Sequence, residues 1–74
     1  MTKKEMIATI QAVEAAAFLE CKKSQRDYGK ESPLHQSARS RWCAIDGLLR
    51  QLGIEADFTL PDSREAFAIL CELA

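Results

Sequence analysis

The chain has 74 residues, 47% of them hydrophobic and 28% charged, which suits one small folded domain and excludes a disordered chain. Its formal net charge of −1 excludes a strong overall attraction to nucleic acid or to an anionic membrane surface. Three glycines and two prolines are too few for a turn-rich β protein, and no run approaches the roughly 18 apolar residues of a membrane span. We therefore expect a single all-α domain over residues 1–74 with no membrane partner.

The first predicted helix covers residues from about 2 to 28. Thr2 and Glu5 have the spacing of a capping box, in which each side chain satisfies the other residue's free backbone amide. Apolar residues then recur every three or four positions, which is typical of one buried helical face. This predicted core stripe consists of Met6, Ile10, Val13, Ala17, Cys21 and Tyr28. Glu14 and Glu20 are expected to be ordinary surface charges.

The second predicted helix covers residues from about 33 to 52. Ser32 is placed to cap its start, Pro33 suits the first helical position, and Gly53 is placed to end it. The connection over residues 29–32 is short, so this helix is expected to fold back antiparallel to the first. Its predicted core stripe consists of Leu34, Ala38, Trp42, Ile45, Leu48, Leu49 and Leu52.

A short third helix is predicted over residues 62–73. Asp62 and Glu65 form a second capping-box pattern. Apolar residues, among them Cys71, cover nearly its whole circumference, so burial on several sides is expected. The predicted fold is thus an all-α, antiparallel two-helix hairpin with a short third C-terminal helix packed against it. The heptad-like spacing of the two long helices also suits a short coiled coil.

No catalytic, cofactor or metal motif stands out along the chain. The lone His35 has no converging ligands for zinc and is expected at the surface, partly exposed. The three cysteines lack paired spacing, which indicates free thiols in a reducing cytoplasm. Cys21 is expected to be buried and Cys43 to be accessible. We therefore expect neither an enzyme nor a cofactor.

A second helical face carries small residues opposite the predicted core stripes. Small side chains at this spacing allow a close approach of helices. Alanine alone is also the best surface helix former, but Gly47 in a helix interior is unfavourable by about 1 kcal/mol relative to alanine. The candidate interface with a second copy or another protein consists of Ala8, Ala12, Ala15, Leu19, Ser40, Ala44 and Gly47.

Basic residues gather around the predicted bend. Residues 20–43 carry six Lys/Arg against three Asp/Glu, whereas residues 44–74 carry two against six. Such clusters bind phosphate groups, but no nucleic-acid-binding module is recognisable, and a solvated face explains the same residues. The candidate phosphate-binding residues are Lys22, Lys23, Arg26, Lys30 and Arg39.

The run from Ala38 to Trp42, continued by residues 48–54 with its capping Gly53, resembles short helical-hairpin proteins of phages and prophages without an assigned function. The resemblance covers residues 36–54 and assigns no functional residue. A small predicted core and the small-residue faces favour a self-associating interaction or adaptor module, most simply a homodimer. The alternative is a nucleic-acid-associated regulator that uses the basic bend.

Overall fold

The computed structural model describes all 74 residues and contains three α-helices and no strand, which confirms the all-α prediction. Helix α1 covers Lys3–Tyr28, α2 covers Pro33–Gln51 and α3 covers Pro61–Leu73. Helix α1 is central, because α2 and α3 each pack against it, whereas the Cα atoms of α2 and α3 do not come within 8 Å of each other. None of the three combines the length and apolarity needed to cross a membrane.

Local signals set the ends of the two long helices. The hydroxyl of Thr2 accepts a hydrogen bond from the amide of Glu5 at 3.1 Å, and the hydroxyl of Ser32 accepts from the amide of Leu34 at 3.2 Å. Gly29 follows α1 with φ +87°, a conformation that glycine adopts without strain. These side-chain and glycine caps satisfy backbone groups that the helix ends would otherwise leave unpaired.

The start of α3 differs from the predicted capping box. Leu60 is the N-cap residue and gives no side-chain hydrogen bond, and Pro61 occupies the first helical position, so Asp62 lies inside the first turn. Proline favours this position because its φ is fixed and its missing amide would have been unpaired. Asp57 orders the preceding turn instead, and the hydrogen bonds from Thr59 lower the pKa of its carboxyl group.

The core is small: only 12 of the 74 residues are buried. Its centre joins Phe18 and Leu19 of α1 to two residues of α3, Ala66 and Ile69, with Trp42 of α2 packed against them. The Phe18 ring stacks on Trp42 with 4.8 Å between centroids and meets Phe67 edge-on at 5.2 Å. One aromatic side chain of α1 therefore contacts both of the other helices.

The predicted core stripe of the first helix is wrong in part. Met6, Val13 and Tyr28 are exposed, because α1 turns toward two partner helices on different faces rather than toward one. The buried residues of α1 are Glu14, Ala15, Phe18, Leu19, Cys21 and Ser24.

Helix α3 is also less buried than its composition predicts. It packs on α1 alone, and its buried residues are Ser63, Ala66 and Ile69. The remaining apolar residues, including Phe67 and Leu70, are exposed, so the predicted burial on several sides is wrong.

Gly47 and Gly53 form a matched pair that tests how backbone conformation at a glycine affects stability. A Cβ atom at Gly47 meets nothing within 4 Å, so Gly47→Ala is expected to stabilise the chain by about 0.5–1 kcal/mol through helix propensity. Gly53→Ala is expected to destabilise it, because Gly53 has φ +71°. Urea denaturation followed by circular dichroism at one protein concentration measures both; a destabilising Gly47→Ala would contradict the open space at that position.

Candidate functional site

A carboxylate lies inside the helix interface. Glu14 is 1% exposed, and its Oε1 accepts a hydrogen bond from the indole Nε1 of Trp42 at 2.9 Å. Its Oε2 has no partner. The expectation of a surface charge is therefore wrong for Glu14. The physical reason is the indole N–H of Trp42, which needs an acceptor once α2 packs on α1.

Glu14 variants test the role of this hydrogen bond. Glu14→Gln keeps an oxygen for the indole, whereas Glu14→Ala leaves the indole N–H unpaired, which is unfavourable by about 1–3 kcal/mol. We expect Glu14→Ala to lose the most stability in urea denaturation and to shift the fluorescence of Trp42, the single tryptophan. Equal stability of the two variants would show that the hydrogen bond contributes nothing.

His35 is also a buried polar residue. It is 4% exposed, so its predicted surface position is wrong. Its Nδ1 lies 3.1 Å from the hydroxyl of Ser24 and 3.2 Å from the carbonyl oxygen of Cys21. The Ser24 hydroxyl itself donates to the Cys21 carbonyl at 2.8 Å. Both neighbours of Nδ1 thus act as acceptors, which places a proton on Nδ1. The other ring nitrogen, Nε2, makes no hydrogen bond in the chain and is not one of its buried unpartnered atoms, so it is accessible to solvent.

His35 lines a cavity of about 760 Å³, named here the basic groove. Its lining includes residues of all three helices, and no carboxylate belongs to it. The Nζ atom of Lys22 lies 5.8 Å from the ring centroid of Trp42, within range of a cation–π interaction. The charged and aromatic lining residues, with the apolar residue contributed by α3, are Lys22, Lys30, His35, Arg39, Trp42 and Leu70.

The structure divides the predicted phosphate-binding residues into two sets. Lys22, Lys30 and Arg39 line the basic groove. Lys23 lines a different depression. Arg26 is exposed and forms an ion pair with the neighbouring Asp27 at 3.0 Å. The bend therefore does not present one continuous basic strip, and sequence spacing alone does not reveal this division.

The predicted small-residue interface is also divided. Ala15 and Leu19 are buried within the chain, and Leu19 belongs to the core cluster that includes Ala66 of α3. These two residues are therefore not free to meet a partner. Gly47 is half-buried, and the other candidates are exposed: Ala8, Ala12, Ser40 and Ala44.

A different apolar surface extends over the two long helices, and sequence periodicity had assigned most of it to the core. Val13 and Ala17 of α1 and Ala38 and Ile45 of α2 line a shallow groove of about 260 Å³. Exposed Leu48 lies one turn beyond Ile45 on the same side of α2, by its spacing. Helical spacings of three and four extend this surface along each helix. The surface, named here the α1–α2 face, comprises Met6, Ile10, Val13, Ala17, Ile45, Leu48 and Leu52.

The three thiols are free and differ in exposure: Cys21 is buried, whereas Cys43 and Cys71 are exposed. The predictions for Cys21 and Cys43 are confirmed, and the predicted burial of Cys71 is wrong because α3 presents that side to solvent. Burial raises the pKa of the Cys21 thiol, and nearby cations oppose this only in part. No three His, Cys, Asp or Glu side chains are arranged to hold a metal ion.

Thiol labelling at pH 8 tests this arrangement. The reactive species is the thiolate, so burial and a raised pKa both slow the reaction of Cys21. We expect two fast sites, Cys43 and Cys71, and a third that reacts at least about tenfold more slowly until the chain is denatured. Mass spectrometry of the labelled peptides assigns them; fast labelling of Cys21 would contradict its burial.

Comparison of the chain with protein-family models, with curated proteins and with solved structures finds no match.

Proposed function

We propose that the chain is a non-enzymatic interaction module that associates with a second copy of itself through the α1–α2 face. The observation that carries this proposal is the distribution of large apolar side chains. Eleven of them are exposed, whereas the buried hydrophobic core has only eight residues, four of which are alanine or cysteine. A small domain with so little core gains stability when a partner covers such a surface.

The surface area supports the same proposal. The chain exposes 5193 Å², whereas a compact monomer of 8.3 kDa exposes about 4,600 Å². The excess of about 600 Å² approaches the roughly 800 Å² that each partner buries in a standard interface. A second copy that covers the α1–α2 face would bring the exposed area per chain toward the value of a compact protein.

The geometry of the face suits a symmetric pair of helical hairpins. Three of the side-chain pairs between α1 and α2 are Ser24 with His35, Glu20 with Arg41, and Glu14 with Trp42. As the residue number in α2 rises from 35 to 42, that of its partner in α1 falls from 24 to 14, which supports an antiparallel hairpin. Apolar positions in α2 recur at spacings of four and three, as in coiled coils. Two such hairpins placed face to face form a four-helix bundle.

Introduction of a negative charge into the apolar α1–α2 face tests the proposal. Val13 and Leu48 are about half exposed within one chain, so a single chain accommodates glutamate at either position. We expect the unmodified chain to sediment as a dimer at micromolar concentration, and Val13→Glu and Leu48→Glu to sediment as monomers. Burial of an unpaired charge accounts for the change.

Leu73→Glu is the matched control, because Leu73 is an exposed apolar residue of α3 outside the α1–α2 face. It should leave the sedimentation coefficient unchanged. Gly47→Leu tests the alternative small-residue face. Loss of the dimer in this variant alone would show that the interface lies on the small-residue face instead. A stable, well-folded monomer for the unmodified chain would overturn self-association.

The proposed location is a reducing cytoplasm. It is supported by three free cysteines, two of them exposed.

A further inference from the structure

We propose that the basic groove binds the phosphate group of a small phosphate monoester. The groove shares no lining residue with the shallow groove of the α1–α2 face, so this site is separate from the proposed dimer surface. Its lining comes mainly from α1 and α2, with Lys30 from the bend between them and Leu70 from α3. The site is therefore formed by one chain.

The cations of the groove have no carboxylate beside them in its lining. Three arginines elsewhere form ion pairs with carboxylates: Arg26 with Asp27, Arg41 with Glu20, and Arg50 with Asp46. The other lysines and arginines form no ion pair, and three of them, Lys22, Lys30 and Arg39, line a cavity without a carboxylate. A concave surface with one sign of charge concentrates counter-ions. An anionic ligand is the group that would balance these charges.

His35 supports a ligand in the groove independently of the cations. Its Nδ1 is held by Ser24 and by the carbonyl oxygen of Cys21, and the residue is 4% exposed. Its Nε2 makes no hydrogen bond in the chain and is not one of the buried atoms that lack a partner, so it is accessible from the groove that His35 lines. This nitrogen is therefore free to take a hydrogen-bond partner from a ligand. A phosphate group can supply one for either protonation state of the ring. It accepts from Nε2–H of the imidazolium, or its own P–OH group donates to the lone pair of the neutral ring.

The arrangement favours a small phosphate monoester over a nucleic-acid backbone. A monoester carries about −1.5 to −2 charges near neutral pH, which suits three cations in one concavity. A backbone would need a continuous strip, but Lys23 and Arg26 lie outside the groove. The cavity of about 760 Å³ lies within the range of small-molecule sites. Trp42 and Leu70 offer apolar surface for the organic part of the ligand.

Two double variants of equal charge test the proposal: Lys30→Gln with Arg39→Gln inside the groove, and Lys23→Gln with Arg26→Gln outside it. Inorganic phosphate, phenyl phosphate and a short single-stranded oligonucleotide are titrated into the full chain and followed by nuclear magnetic resonance. We expect saturable shifts of the His35 ring and Trp42 indole signals with both phosphates. The groove variant should weaken binding by about tenfold or more, because charged hydrogen bonds are lost, and the control by less than about twofold.

Equal weakening by the two double variants would overturn the proposal, because diffuse charge attraction would then explain the binding. No saturable shift at millimolar phosphate would also overturn it. Tighter binding of the oligonucleotide, with a steep salt dependence and an equal contribution from Lys23 and Arg26, would replace the site with a nucleic-acid surface.

His35→Asn tests the role of the histidine. The asparagine amide keeps a donor near the position of Nδ1 and removes the atom at Nε2, so we expect weaker phosphate binding with cooperative thermal unfolding retained. Unchanged binding in a folded His35→Asn chain would exclude His35 from the site. The groove cations are exposed or half-buried, so their double variant tests the proposal even when His35→Asn fails to fold.

Discussion

The stacking of Phe18 on Trp42 and its edge-on contact with Phe67 hold the three helices together. The Cα atoms of α2 and α3 do not come within 8 Å of each other, so the position of each helix is set mainly by its packing on α1. A central helix that packs against two neighbours buries adjacent faces and leaves a third face open. This division of α1 limits the size of the core, and the basic groove lies where residues of all three helices meet.

The aromatic contact also explains why polar groups lie in the interior. A partly buried tryptophan needs an acceptor for its indole N–H, and Glu14 supplies it from the neighbouring helix. Two buried side-chain atoms remain without partners, Oε2 of Glu14 and Oγ of Ser63. Each unpaired polar atom is unfavourable by about 1–3 kcal/mol, and the core that must offset this has only eight hydrophobic residues. Such a core favours a partner that covers more apolar surface.

The sequence predicts what depends on local chemistry. Helix content, the caps at Thr2 and Ser32 and the glycine at position 29 are properties of neighbouring residues, and the structure contains all of them. It does not predict which face of α1 is buried, because that depends on two helices distant in the chain. The positions of Glu14 and His35 were missed for the same reason. Their environments are created by residues 28 and 11 positions away.

Apolar periodicity and burial disagree at positions of the α1–α2 face. Val13 and Leu48 belong to the most regular apolar patterns of their helices, yet each is about half exposed in the single chain. Surface helix positions in a monomer have no physical reason to keep an apolar pattern at spacings of three and four, because water solvates polar side chains better. A pattern that the chain itself does not bury is explained when a second copy buries it. In the proposed dimer, the α1–α2 face belongs to the core, and the apolar periodicity of the sequence then describes the proposed assembly rather than the single chain.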